Sequence, residues 1–279
     1  MKLILMNKLF ITDLDGTLLD SDGKVNQKTK EILNALTDKG VSFAVATART
    51  ILSVSNILDG LNISAPCILM NGVCTYDMTE RRYLHCHYID PVATTQYVKA
   101  VSGRTDISPY IYTIKDNELC AYYENMDTEP ARSFAEERRK RYGKNFVKAD
   151  FKELDPTYAV YFTMCGKKQA LEPYYHKLKD TKGLYVTFYR DTYDTSIYYL
   201  EMCSDKASKA GGIRYLREHY GFDEIYCFGD NTNDIPMFRE SDHRYAVSNA
   251  VNELKEISDE IILSNNENGV ALKIKELCE

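Results

Sequence analysis

The sequence predicts an α/β fold, a parallel sheet covered by helices on both faces and interrupted by an inserted α+β segment. Three observations carry this. Short apolar runs alternate with helical periodicity towards both ends of the chain, as buried parallel strands and their crossover helices do. The middle third is tyrosine-rich and alternates residue by residue, the pattern of antiparallel pairing. The first texture then returns, so the two outer pieces belong to one domain and the middle is an insertion.

Leu9-Phe10-Ile11-Thr12 reads as a buried strand ending at Asp13. A helix follows over 26–39, with Ile32, Leu33 and Leu36 on one face and Gly40 as its stop. Val41 to Ala46 is a second strand, 51–58 a helix, and Cys67 to Met70 a third strand closed by the turn Asn71-Gly72. In the insertion, strands 108–114 and 118–124 flank the hairpin turn Lys115-Asp116-Asn117. Helices are expected at 91–102, 129–142 and 167–180, and strands at 159–164 and 184–189. From Ile197 the alternation resumes with strand 197–202, helix 205–219, strand 225–228, helix 232–239, strand 244–247 and a last helix after Asn268. The expected division is a core of 1–81 and 193–279, with 82–192 as a lid.

With 279 residues, 44% hydrophobic and 27% charged, the chain can bury a sizeable core. Its net charge of -6 is spread without a basic stripe, which argues against nucleic acid as a partner. An anionic substrate would be held by a few local cations. The eight cysteines form no CxxC pair, and many lie in apolar runs such as Pro66-Cys67-Ile68-Leu69-Met70, which points to a reducing compartment. The apolar opening Met1 to Met6 is too short to span a membrane and lacks the parts of a signal peptide, so a cytoplasmic location without a membrane partner is expected.

Four segments could carry chemistry. Asp13-Leu14-Asp15-Gly16-Thr17 stands where a buried strand ends, the edge at which parallel sheets bind ligands. Two carboxylates two residues apart point to opposite faces of an extended chain, and Gly16 frees the backbone to break that geometry. Asp13 could then attack as a nucleophile while Asp15 handles protons. Thr47-Ala48-Arg49 ends the second strand, where a hydroxyl and exposed amides suit a phosphate oxygen, although a helix N-cap explains the threonine as well. Lys209 lies early in a helix, against the helix dipole, with Lys206 as its rival. Gly229-Asp230-Asn231-Thr232-Asn233-Asp234 is an oxygen-rich loop suited to a hard cation. Together they supply what phosphoryl transfer needs, positioning and charge neutralisation.

The order DxDGT, Thr, Lys, GDxxND, with a large insertion between the second and third, resembles the haloacid dehalogenase superfamily of phosphatases, in its Cof-type branch. The resemblance covers the whole chain. It implies a Rossmann-like core and an inserted α/β cap of the C2B class, and it selects Lys209 over Lys206. Asn71-Gly72 resembles the family's turn leading into the cap. Ala48 departs from the usual glycine, and Asn231 from the usual glycine or acid. By this resemblance Asp13 forms an aspartyl-phosphate, and Asp15, which must begin protonated, serves as acid and then base. Mg²⁺ is held by Asp13, the carbonyl of Asp15 and Asp230, with Asp234 binding directly or through water. Leu14, Thr47, the Ala48 amide, Lys209 and Asn233 hold the phosphoryl group. The substrate would be a small phosphorylated metabolite, sugar phosphates foremost, and the enzyme a monomer or weak homodimer. A phosphosugar mutase and a non-catalytic phosphometabolite-binding regulator are the alternatives. His85-Cys86-His87 is set aside as a zinc site because adjacent strand residues alternate faces. Glu136 to Arg141 reads as a solvated helix face, and a few of the 22 tyrosines could stack on a sugar ring.

Overall fold

The computed structural model describes residues 7–191 and 194–279; the opening Met1 to Met6 lies outside them. In chain order the first elements are β1 (Lys8–Thr12), α1 (Gln27–Thr37), β2 (Ser42–Val45), α2 (Ile51–Ile57), β3 (Cys67–Leu69), β4 (Cys74–Asp77) and β5 (Arg82–Cys86). Next come α3 (Pro91–Val101), β6 (Tyr110–Lys115), β7 (Glu118–Tyr123), α4 (Glu129–Tyr142), β8 (Phe146–Lys148), β9 (Ala159–Gly166), α5 (Lys168–Leu178), β10 (Leu184–Arg190) and β11 (Tyr198–Ser204). The chain closes with α6 (Lys209–Tyr220), β12 (Glu224–Gly229), α7 (Ile235–Glu240), β13 (His243–Val247), α8 (Asn252–Lys255), β14 (Glu260–Ile262) and α9 (Gly269–Cys278). One compact unit runs to His85 and resumes over Ala207–Glu279; the other is Cys86–Lys206.

In the first unit a five-stranded sheet has the order β14-β13-β12-β1-β2. Every pair is parallel. The inner strand β1, between β12 and β2, buries Leu9, Phe10 and Ile11 almost completely, as a strand covered on both faces must. Its last residue, Thr12, lies level with Phe228 on one side and Val45 on the other. That register brings the loops after β1, β2 and β12 out at one edge of the sheet.

Two strands differ from the sequence expectation. Cys67–Leu69 was expected in the parallel core, but β3 pairs antiparallel with β4, and a single parallel bridge, Ala46 to Ile68, ties it to the core sheet. Positive φ at Met70, Asn71 and Gly72 folds the chain straight back, which makes a hairpin of what looked like a crossover. The strand read at 197–202 as a return to the core is β11, antiparallel to β9 and β10 in the second unit. Its alternation gives the reason: Leu200 and Met202 enter a core while Tyr199 and Glu201 take the other face.

The second unit is a six-stranded sheet, β10-β11-β9-β6-β7-β8, antiparallel except between β7 and β8. One face packs against α3 and α5 through a core that includes Tyr97, Ile111, Phe162, Leu171, Leu200 and Met202. Tyr97 stacks on Phe162 with ring centroids 3.9 Å apart. On the opposite face Tyr110 lies against Phe134 of α4, and its hydroxyl donates to the Ala131 carbonyl at 2.6 Å. Full burial of such a side chain contributes roughly 1.5–3 kcal/mol, so this aromatic layering holds the sheet. The fold is thus α/β with a parallel-sheet core and an inserted antiparallel cap.

Candidate active site

Asp13 follows the last residue of β1, and its amide still donates to the Phe228 carbonyl (2.9 Å), so its side chain starts from a fixed strand end. The chain then leaves the strand through Asp15 (φ -74°, ψ 116°) and Gly16 (φ 81°, ψ -6°). A Cβ at Gly16 would stand 2.4 Å from Oδ2 of Asp230, so the left-handed turn and the close approach both demand glycine. Asn249 Nδ2 donates to the Gly16 carbonyl (2.7 Å), and the Val251 amide donates to the Asp230 carbonyl (2.8 Å), which pins the two loops from a third side.

Lys209 is the first residue of α6, capped by Ser208, whose side chain accepts from the Gly211 amide at 3.0 Å. Its Nζ donates to Oδ1 of Asp13 at 2.5 Å and to Oδ1 of Asp234 at 2.7 Å. All three residues are buried, exposed by 2%, 5% and 0% respectively. Burial pulls the ammonium pKa down, but Asp13 and Asp234 outweigh it and hold Lys209 cationic, above its ordinary value. Burial raises Asp13, and Asp234 and Asp230 add to that against the pull of Lys209. Asp230 is pushed up to about 6 by burial and by Asp234, although its Oδ1 accepts from the Thr17 hydroxyl at 2.9 Å. Asp234 uses its second oxygen to accept from the Asp230 and Asn231 amides, at 3.0 and 3.2 Å. It is therefore the hinge pin of the loop as well as a partner of Lys209.

Asp13, Asp230 and Asp234 each offer a carboxylate oxygen within 4.8 Å of the others. Three carboxylates around one ammonium leave excess negative charge, and hard oxygen donors at this spacing fit a small divalent cation. Among the described residues no other group of three His, Cys, Asp or Glu side chains converges so closely. His85 instead stacks on Tyr215, ring centroids 5.2 Å apart.

The remaining sequence candidates divide. Thr47 is fully buried at the end of β2, and its Oγ1 accepts from the Arg49 amide at 3.2 Å. Leu14 is fully buried, while Ala48 and Asn233 are exposed. Of the two rival lysines, Lys206 is exposed and Lys209 is buried. Asp15 stands apart from the buried cluster. Its carboxylate, about half exposed, accepts two bonds from Arg49, Nε to Oδ2 at 2.7 Å and Nη2 to Oδ1 at 2.6 Å. That bidentate pairing engages both oxygens of the carboxylate with one guanidinium.

Sequence reasoning missed three contributors. Arg49 was quoted without a role, and the signal was a cation directly behind a candidate phosphate loop. Thr17, the hydroxyl closing Asp13-Leu14-Asp15-Gly16-Thr17, orients Asp230. Gly72 has φ 93°, and a Cβ there would lie 2.0 Å from the Ser208 carbonyl oxygen. Only glycine lets this turn touch the residue that caps α6 and so sets Lys209.

A family profile described as haloacid dehalogenase-like hydrolase matches residues 10–274. A 5-amino-6-(5-phospho-D-ribitylamino)uracil phosphatase of Bacillus subtilis (strain 168) is 27% identical over 97% of this chain and 98% of its own. Another Bacillus subtilis phosphatase is 25% identical over 97% of this chain and 99% of its own. The crystal structure of TM0651 from Thermotoga maritima superposes with a TM-score of 0.79 at 26% identity, covering 97% of both chains. A haloacid dehalogenase-like hydrolase from Bacteroides thetaiotaomicron shares the fold with a TM-score of 0.78 at 20% identity, over 97% of this chain and 99% of the other. The chain belongs to the haloacid dehalogenase-like hydrolase family and is an enzyme of it, with phosphatases among its relatives.

Proposed function

We propose that this enzyme is a Mg²⁺-dependent phosphatase of small phosphorylated metabolites, sugar phosphates foremost, working through an aspartyl-phosphate on Asp13. The observation that carries the reading is the buried Asp13–Lys209–Asp234 ion cluster beside Asp230. Taking those charges out of water costs several kcal/mol per ion, and packing alone gives no return for it.

Lys209 fixes one carboxylate oxygen of Asp13 and leaves the other to attack phosphorus in line. The Asp13 oxygen–phosphorus bond forms as the bond to the leaving oxygen breaks, and that oxygen takes a proton from Asp15. Asp15 then accepts a proton from the water that attacks phosphorus, releasing phosphate and restoring Asp13. For this Asp15 must exchange Arg49 for the reacting groups and carry a proton when it meets the leaving oxygen. Leu14, Thr47, the Ala48 amide, Lys209 and Asn233 hold the phosphoryl oxygens. Asp13, the Asp15 carbonyl and Asp230 would hold the metal, with Asp234 aligning Asp230 and Lys209; bound Mg²⁺ supplies charge neutralisation at the phosphoryl group.

The core of this reading is the unit of 1–85 with 207–279, in place of the expected 1–81 with 193–279, and the inserted unit selects the substrate. A relative that acts on a ribitylamino-uracil phosphate adds polyol phosphates to the candidates. A cytoplasmic monomer or weak homodimer, without nucleic-acid or membrane partners, completes it. No helix among the described residues is long and apolar enough to cross a membrane.

The test is phosphate release from a panel of phosphorylated metabolites, without a bisphosphate activator. EDTA should abolish it and Mg²⁺ restore it, with poor rescue by Zn²⁺, which prefers nitrogen and sulfur ligands. Full turnover in a metal-free preparation overturns the metal assignment, and a strict need for a bisphosphate marks a mutase instead.

A further inference from the structure

We infer that a cavity between α3 and the segment 151–156 is a small-molecule site, and that it takes an aryl carboxylate carrying a hydroxyl at its far end. Every lining residue lies between Thr94 and Ala159, and nothing in the site depends on the reaction proposed for Asp13.

The cavity has a volume of about 320 Å³, within the range of small-molecule sites. Ile111, Phe151 and Ala159, buried members of the core beneath α3, form its floor. Val98, Leu154 and Pro156 are partly buried and form its walls. The β6–β9 ladder shifts register between Tyr112 and Thr113, so the sheet is irregular where Thr113 and Ala159 meet the cavity. Apolar walls of this kind favour a hydrocarbon or aromatic body.

Thr94 also lines the cavity, and it carries an unpaired polar group. The residue is 3% exposed, and its hydroxyl finds no partner among the described residues. Thr95 beside it shows the ordinary outcome in a helix: its hydroxyl donates to the Pro91 carbonyl one turn back, at 2.8 Å. A buried hydroxyl left unpaired costs free energy, and a ligand that brings a partner removes that cost. Threonine both donates and accepts, so a ligand hydroxyl matches it in either sense.

The mouth of the cavity sets the charge of the occupant. Lys99, in the last turn of α3, and Lys152 are exposed there, and neither ammonium has an ion pair among the described residues. Asp155 is the acid of the lining, and its Oδ1 accepts from the Thr157 amide at 2.9 Å and the Thr157 hydroxyl at 2.6 Å. Those bonds hold Asp155 below the ordinary carboxylate range, so it is charged at neutral pH. Two cations against one anion leave a single positive charge, which suits one carboxylate.

The experiment titrates three probes into the whole chain, labelled at its isoleucine, leucine and valine methyl groups and read by NMR. They are para-hydroxyphenylpropionate, phenylpropionate, which lacks the far hydroxyl, and para-hydroxyphenylpropanol, which lacks the charge. The first probe should shift the methyls of Val98, Ile111 and Leu154. Thr94→Val should weaken it about three- to tenfold, as loss of one hydrogen bond does, and leave phenylpropionate within about twofold. Lys99→Gln with Lys152→Gln should weaken both carboxylates about threefold or more and leave the propanol within about twofold. Tm should be unchanged in the lysine variant, whose sites are exposed; if Thr94→Val does not fold, the lysine comparison still decides. No shift at the three methyls with any probe would mean that the cavity holds only water. Equal weakening of all probes in both variants would mean that these residues only support the fold. Either result overturns the inference.

Discussion

The two units treat charge in opposite ways. In the core unit Asp13, Lys209, Asp234 and Lys273 are buried, whereas the buried polar side chains described in the cap unit are the neutral hydroxyls of Thr94, Ser108, Thr113, Thr163 and Ser204. The cap is held by stacked aromatics, and its charged groups stay at the surface or half-buried like Glu201. Burial alone does not mark chemistry. Lys273 is buried too, but it reaches Glu260 at 2.7 Å and Glu276 at 2.8 Å, and neither carboxylate is buried. What separates the site is convergence: three carboxylates and an ammonium from three segments meet where strands end, in a place that no helix-face pairing explains.

The largest effect that could break this contrast comes from Asp13→Asn. Turnover should vanish, and so should any acid-stable phosphate on the protein, while Asp234 continues to pair Lys209 and keep the core folded. Mass spectrometry after an acid quench checks this, and full activity in the variant would remove Asp13 as nucleophile. Asp15→Asn comes next. Acid–base groups contribute about 10²–10⁴-fold, so turnover should fall by that order, and by less on p-nitrophenyl phosphate, whose leaving group needs little protonation. Phosphate should then accumulate on Asp13. An equal loss on both substrates would show that Asp15 matters through its pairing with Arg49 and not as an acid.

A smaller effect tests the electrostatics. Asp230 titrates at about 6 in the folded protein, against an ordinary value of 3.8. Between those values the folded state binds more protons than the unfolded, so without metal this group's contribution to stability declines as pH rises through the window. A divalent cation offsets that penalty but must displace the proton. Mg²⁺ should therefore raise Tm little at pH 5 and clearly at pH 7.5, where it adds about 2.7 kcal/mol of stability when Mg²⁺ is at a hundred times its Kd. Equal shifts at both pH values would refute the cation site at Asp230. The smallest effect is predicted in the cap. The Tyr97 hydroxyl is buried and finds no partner among the described residues. Tyr97→Phe should leave stability unchanged or raise it by up to about 1–3 kcal/mol, the cost of an unsatisfied buried group, as read by thermal unfolding. Clear destabilisation would reveal a partner for that hydroxyl.

Much of this was legible in the chain. Asp13 and Asp230 could be found because each follows an apolar strand, and strand ends are visible as breaks in hydrophobicity; Lys209 was separated from Lys206 by the family resemblance alone. The helix at 129–142 carries its own signals, an early proline and Gly143 in the left-handed conformation at its end. Less legible was the β3–β4 hairpin: the Asn71-Gly72 turn is marked in the chain, but the positive φ at Met70, Asn71 and Gly72 that sends it straight back into β4 is not.

The sequence by itself determined the α/β class, the inserted antiparallel unit and the acidic and basic groups available for phosphoryl transfer, because periodicity and strand-end chemistry are local properties of the chain. Only the tertiary structure decided which sheet β11 joins, that Asp15 faces Arg49, that Asp234 is spent on Lys209 and two amides, and that Gly72 must be glycine to let Ser208 approach. Each of these depends on a contact between residues far apart in the chain or on a backbone turn. A one-residue change of register or direction would reverse it while leaving the local pattern the same.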